Sequence, residues 1–240
     1  MNSKIQIGNF EVSVTKKKIK NIYLSVNPPN GIIKISAPEM FNEDAIRSFA
    51  LTKLEWIKRK HFQILNQLRE SKRSIVSGES YYVWGKRYLI KLIDKKEKPY
   101  IKVKNKTLSF FICSSKDFKK KQKVLENFLR NELRKKSEKI LLKWECQLNV
   151  SFEKINIRRM KTKWGSCDVK NKIITLNTEL IHKPVKMLEY IVVHELIHLI
   201  EPKHNNNFFK ILSQVLPDWK ITKIKLNKLP LTSLISKKSL

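Results

Sequence analysis

"VVHELIHLIEPKH", residues 192–204, holds three of the five histidines in a chain of 240 residues. The letters around them are those of a buried helix. An imidazole in apolar surroundings needs a hydrogen-bond partner or it weakens the fold. His194 and His198 are four residues apart, so on a helix both rings leave the same face one turn apart. That spacing lets both reach one zinc ion at about 2.0–2.1 Å. Glu195 stands next to His194, beside the place a reacting water would occupy. This is H-E-x-x-H, the arrangement in which a glutamate works as general base at a zinc site. The plain alternative is a helix with two satisfied core histidines, but a shared metal satisfies both at once.

A catalytic zinc takes three protein ligands and keeps a fourth position open. No glutamate follows Glu201, which excludes a ligand from a later helical glutamate. Glu201 itself is only three residues from His198 and would strain to reach the ion. Asp218 is distant and follows Pro217 in an expected turn. His204 is the better candidate, because Pro202 ends the helix and a short turn can swing His204 back over the metal. The resulting H-E-x-x-H-x5-H spacing equals that of metzincins, with Pro202 shaping the turn in the absence of their glycine. Three neutral imidazoles leave the ion its full charge, which lowers the pKa of a bound water toward about 7. Glu195 would take the water proton and pass it to the leaving amine. Arg158, Lys161 and Lys203 are candidate oxyanion donors, and none of the three stands out.

Outward from this stretch, the pattern predicts a mixed architecture. Residues 8–37 alternate as short strands around the turn signal "NPPNG". Ile46, Phe49, Ala50, Leu54, Ile57, Phe62 and Leu65 recur at helical spacing, which predicts one helix from Asn42 to about Glu70. "YYVWGKRYLIKLI" and "YIKVKNKTLSFFI" form a second β-rich stretch. Asp117 to Cys146 reads as a long basic amphipathic helix. "FEKINIRR" alternates as a strand, "KTKWGSCDVKN" reads as a turn-rich connection, and "KIITLNTEL" as a strand running into a helical turn. The histidine helix starts at Pro184, a residue suited to a first helical position, and ends at Pro202. "NNNFFKILSQVL" reads as a short asparagine-capped helix with Phe208, Ile211, Leu212 and Val215 inward. The tail after about Lys228 is expected to be poorly ordered.

With 41% hydrophobic residues the chain is globular rather than disordered. No run approaches the apolar length of a membrane span, and "MNSKIQIGNFEVSV" lacks the layout of a secretory signal. Cys113, Cys146 and Cys167 are odd in number and far apart, so reduced thiols in a cytoplasmic protein are expected. The net charge of +30 invites a polyanionic partner such as nucleic acid. There is a compositional competitor: 42 of the 51 basic residues are lysine, with isoleucine and asparagine also plentiful, as AT-rich coding DNA imposes. The charge also falls in short scattered runs such as "TKKKIK" and "FKKKQK", the usual pattern of solvated surface.

"RRMKTKWGSCD" followed by "YIVVHELIHLIEPKHNNNFF" resembles the YgjP-like metallopeptidases, relatives of the SprT-like zinc proteases. "GIIKISAP", "LEWIKRK" and "WGKRYLIKL" resemble that family's N-terminal half, so the likeness runs from about residue 10 to 228. The resemblance implies zinc on His194, His198 and His204, with Glu195 catalytic. It also implies a compact core of helices on a small sheet, with the W-G-S-C loop beside the active-site helix. The chain departs from the family's usual pattern at Lys203, Asn205 and Phe209, which stand for asparagine, serine and tryptophan.

The "KTKWGSC" loop has two readings: a cleft wall built on Trp164 with Lys161 or Lys163 meeting an anion, or a tight glycine turn pinned by a buried tryptophan. Cys167 as a zinc ligand is disfavoured because three histidines already complete a catalytic set. His61 and His182 read as ordinary surface or capping residues.

The expected fold is therefore α+β. A β-rich N-terminal part with one helix spans 1–112, a zincin-like metallopeptidase core of helices packed on a small sheet spans 113–228, and a flexible tail spans 229–240. The expected activity is zinc-dependent hydrolysis of a protein or peptide substrate, with no membrane partner. One rival is a SprT-like protease acting on nucleic-acid-bound proteins, by analogy alone. Another is a basic nucleic-acid-binding module with a structural zinc, which leaves Glu195 without a use.

Overall fold

The computed structural model describes residues 2–28, 30–66, 74–113, 117–160 and 162–229. The expected tail therefore lies outside the described residues except at residue 229, as does Lys161. The chain forms two compact units divided between Arg69 and Glu70. The boundary read from the sequence, at 112, falls inside the second unit, where the strands before it share one apolar core with the helices after it.

In the first unit, β1 (Asn2–Ile7), β2 (Phe10–Lys17), β3 (Tyr23–Asn27) and β4 (Ile32–Pro38) lie in the order β1-β2-β4-β3. Only the central pair is parallel. Alternation along β2 and β4 turns Val12, Val14, Ile33, Ile35 and Ala37 to one face. Ile46 and Ala50 of α1 (Glu43–Thr52) and Ile57 and Ile64 of α2 (Leu54–Leu65) join the same core. Asn42 caps α1 by accepting from the Ala45 N–H at 2.8 Å. The single helix expected here is two. The Thr52 hydroxyl donates to the Phe49 carbonyl at 2.8 Å, and the Lys53 N–H bonds back to Ala50 rather than to Phe49. This local competition breaks the ladder at Lys53 without proline or glycine.

The second unit opens with β5 (Ser80–Val83), β6 (Lys86–Ile93), β7 (Tyr100–Lys104) and β8 (Thr107–Phe111), ordered β5-β6-β8-β7. Two-residue turns close both hairpins, Trp84-Gly85 at φ 53° and 71° and Asn105-Lys106 at φ 47° and 58°. Positive φ at both turn positions matches the twist of the flanking strands. The long helix α3 (Phe118–Leu148) is capped by Asp117, which accepts from the Lys120 N–H, and ends in left-handed Asn149. Leu125, Leu129, Leu133, Ile140, Leu141 and Trp144 form its buried stripe.

β9 (Lys154–Arg158), β10 (Gly165–Asp168) and β11 (Ile173–Asn177) make a three-stranded sheet, ordered β10-β11-β9. Residues 165–168, expected as part of a turn-rich connection, are its antiparallel edge strand. After a 3₁₀ turn at Thr178–His182 come α4 (Val185–Ile197), α5 (Asn206–Val215) and α6 (Trp219–Lys228). α3, α5, α6, β10 and β11 all pack on α4, and nine of its thirteen residues are buried. α4 stops before Pro202, because at His198 its hydrogen bonds tighten: Leu199 and Ile200 bond back three residues, to Leu196 and Ile197. The architecture is thus mixed α+β with a β-rich N-terminal part. No helix among the described residues is long and apolar enough to cross a membrane.

Candidate metal centre

Because α4 is buried nearly all round, its last turn delivers side chains into the protein rather than to solvent. His194 and His198 leave that turn together, their ring centroids 5.0 Å apart. The tightened exit at His198 then turns the chain so that His204 comes back over them. Its Nε2 lies 2.9 Å from His194 Nε2, and the ligand atoms of the three imidazoles all lie within 4.8 Å of one another. Nitrogens around one tetrahedral zinc stand about 3.3 Å apart at ordinary bond lengths, so the triangle is of the right size for one ion. Among the described residues this is the one such cluster.

The surroundings prepare the rings. The His198 Nδ1–H donates to the Glu201 carbonyl at 3.2 Å, which leaves Nε2 with a free lone pair. Burial, then the neighbouring His198, His204 and Lys223, pushes His194 down to about 3. Burial lowers His198 too. Both are neutral near pH 7, the state a metal ligand requires. His194 Nδ1 is buried without a hydrogen-bond partner among the described residues. Phe208, fully buried at the start of α5, sets its ring 4.8–4.9 Å from all three imidazoles and forms their floor. Asn205, where the family usually has serine, caps α5 by accepting from the Phe208 N–H at 3.0 Å. Phe209, in the usual tryptophan position, stacks on Trp219 at 5.4 Å.

Glu195 points from α4 toward β10. Burial pushes its carboxyl up to about 8, against a smaller lowering by Lys163. A Cβ added at Gly165 would lie 2.6 Å from Glu195 Oε1 and 2.9 Å from its Cγ. Glycine is therefore required at the first residue of β10 for close approach to the carboxyl. A cleft of about 500 Å³ runs over these groups, walled by Lys163, Trp164, Ser166, Tyr190, Lys223 and Asn227. The Trp164 indole donates to Asn227 Oδ1 at 3.3 Å, and Asn177 fastens the loop before it by donating to the Met160 and Lys163 carbonyls. The cleft-wall reading of "KTKWGSC" holds for Trp164, while the tight glycine turn does not: Gly165 opens a strand and Trp164 is only partly buried.

The remaining candidates fall outside the triangle. Cys167 lines the cleft, but burial and the nearby Glu195 push its thiol up to about 11, so it stays protonated. The Asp218 carboxylate pairs with Lys186 at 3.1 Å. Glu201 accepts from the Lys203 N–H and the Asn207 amide, bracing the His204 turn. Hydrogen bonding from Asn205, with smaller contributions from Lys203 and Asn207, lowers its pKa. Arg158 and Lys203 are exposed and are not among the cleft's lining residues. His182 holds the Tyr82 carbonyl at 2.8 Å and His61 packs edge-on to Phe10, both structural. Tyr190, Lys223 and Asn227 went unread in the sequence. The last two stand four residues apart on α6, whose inward Trp219, Thr222 and Leu226 carried the helical signal.

The model of the YgjP-like metallopeptidase domain matches residues 20–229. The chain belongs to the YgjP-like metallopeptidase family. No curated protein matches it. Two solved structures similar in part are the metallopeptidase zymogens abylysin of Pyrococcus abyssi and jannalysin of Methanocaldococcus jannaschii. Abylysin is 23% identical over 38% of this chain and 90% of its own, with a TM-score of 0.36. Jannalysin is 25% identical over 38% and 86%, with a TM-score of 0.34. The YgjP-like match ends where the resemblance read from the motifs ends but begins at residue 20, after β1 and β2, rather than near residue 10.

Proposed function

We propose that this YgjP-like protein is a zinc peptidase with a zincin-like core, in which His194, His198 and His204 hold the ion and Glu195 is the general base. The observation that carries the reading is the convergence of three imidazole nitrogens within 4.8 Å, beside a buried carboxyl. Neutral nitrogen donors in a set of three suit zinc with one position left open. A zinc ion held there supplies a Lewis acid that polarises a carbonyl and makes a water more acidic. Glu195 accepts the proton of the attacking water on a carboxylate oxygen and delivers it to the leaving amine nitrogen. Burial raises its pKa in the metal-free protein, and a dication beside it would favour the carboxylate that takes the proton. Gly165 lets β10 hold that carboxyl in place, and Trp164 and Tyr190 wall the cleft in which a peptide would lie.

Metal analysis of the purified protein tests the ligand set. One zinc per chain is expected, with strong loss in His204→Ala and none in Cys167→Ala. Equal zinc in the wild type and the His204 variant would remove His204 from the site.

A further inference from the structure

The β5–β8 sheet has a second face that the peptidase reading leaves unused. Ile90, Leu108 and Phe110 point inward and belong to the core that holds Leu125 and Leu129 of α3. The opposite face is set by register. Lys91 and Lys102 flank Ser109, Leu89 and Lys104 flank Thr107, and Arg87 lies across from Tyr82. Arg87, Lys91, Lys102 and Lys104 are all exposed, and no carboxylate occupies the rows between them. None of the four forms an ion pair with a described residue. Along residues 80–111 there are nine cations and two acids, Asp94 and Glu97, and Glu97 is taken up by Lys95 at 2.9 Å.

At one end of this face Tyr100 and Phe111 stack at 4.5 Å and 11°. The ammonium groups of Lys95 and Lys102 lie within 6.0 Å of both rings. Tyr100 is on β7, the edge strand, so no further strand of the sheet covers the ring face turned away from Phe111.

We infer that this face binds single-stranded nucleic acid, with the lysines on the phosphates and Tyr100 under a base. Charge complementarity selects a polyanion, and the aromatic pair selects one with flat π-faces. An open four-stranded surface is too broad for a duplex groove, which admits a helix or a two-stranded ribbon. Unpaired bases can splay onto a sheet and stack there. Lys102 and Lys104 stand about 7 Å apart along the strand, on the scale of one nucleotide step of an extended chain. Among the described residues, the scattered charge elsewhere lacks this combination of uniform sign, strand register and stacked rings.

The test is binding of a labelled oligothymidylate to the full-length protein across a salt series. Wild type binds, and affinity falls steeply with salt. Replacing Lys91, Lys102 and Lys104 together by alanine lowers the magnitude of the log–log salt slope by about 2, at roughly 0.7 per phosphate contact on a single strand. Removing Lys53, Arg59 and Lys60 of the first unit removes equal charge and leaves the slope nearly unchanged. Tyr100→Ala weakens binding roughly 5- to 150-fold with the slope retained, while Tyr100→Phe binds as wild type. Unchanged thermal unfolding of the lysine variant separates lost contact from lost fold. Equal slope losses in the two triple variants overturn the assignment. So does binding to phosphatidylserine vesicles through Lys91, Lys102 and Lys104 with no binding to the oligonucleotide.

Discussion

α3 and α4 pack against each other, joined by the Trp144 indole and the Lys143 ammonium, which both donate to Glu189. They treat buried polar groups differently. α3 runs 31 residues with one apolar stripe, and its buried Lys121 donates to the Ile75 carbonyl at 2.8 Å. That contact is a structural bond, made within the protein and complete. α4 is 13 residues buried on nearly every side. Its polar groups are less well satisfied: His194 meets His204 through Nε2 but its Nδ1 has no partner among the described residues, and burial raises the pKa of Glu195. α3 leaves one buried hydroxyl, Ser137, without a partner among the described residues, whereas α4 buries an imidazole nitrogen and a carboxyl, whose charged forms cost far more to desolvate.

The contrast can be broken at several points. Of the substitutions beside the base, Gly165→Ala has the largest expected effect, because its new methyl group occupies the place of the Glu195 carboxyl. Displacing a catalytic group by about 1 Å costs on the order of 10²-fold in rate. We expect kcat to fall by about that factor with zinc content unchanged, and near-wild-type turnover would show that β10 does not position the base.

The second effect is on stability and has a sign that depends on pH. Glu195 titrates near 8 in the folded protein against 4.5 for an ordinary glutamate, so the native state binds the extra proton between those values. Stability from this group is therefore retained below pH 4.5 and lost as pH rises through 8. In chelator-treated, metal-free protein, Glu195→Gln should be more stable than wild type by about 1–2 kcal/mol at pH 8.5, less than full linkage because the cleft admits water. The difference should vanish toward pH 4. Denaturant unfolding at the two pH values measures it, and a pH-independent difference would contradict the burial argument.

The smallest effect belongs to α3. Its Ser137 hydroxyl is fully buried with no partner among the described residues. Ser137→Ala should change unfolding free energy by no more than about 0.5 kcal/mol and in the stabilising direction, since an unsatisfied polar group is removed. A loss above that size would mean the hydroxyl has a partner.

The convergence of the three histidines was legible in the sequence because its information is local. Four residues along a helix and a proline four residues before α5 suffice to bring His194, His198 and His204 together. The stripe of α3 was legible for the same reason. What stayed hidden depends on residues far apart. Gly165 meets Glu195 across 30 positions, and Lys223 and Asn227 enter the cleft from a helix whose mixed letters mask its inward side. The break at Lys53 turns on one hydroxyl, which no periodicity records. The division of the chain also escaped the pattern, because strands 80–111 resemble those of the first unit in sequence yet bury their inner face against α3.

The central claim is that Glu195 performs the proton transfer while the histidines hold the metal independently of it. The direct measurement is zinc content and peptide hydrolysis in Glu195→Gln beside the wild type. The amide is nearly isosteric, so packing and the three imidazoles are undisturbed, and one zinc per chain should remain. Loss of a general base is worth about 10²- to 10⁴-fold in rate, so hydrolysis should fall by that factor. Equal hydrolysis by both proteins, each carrying its zinc, would place the base elsewhere and contradict the account.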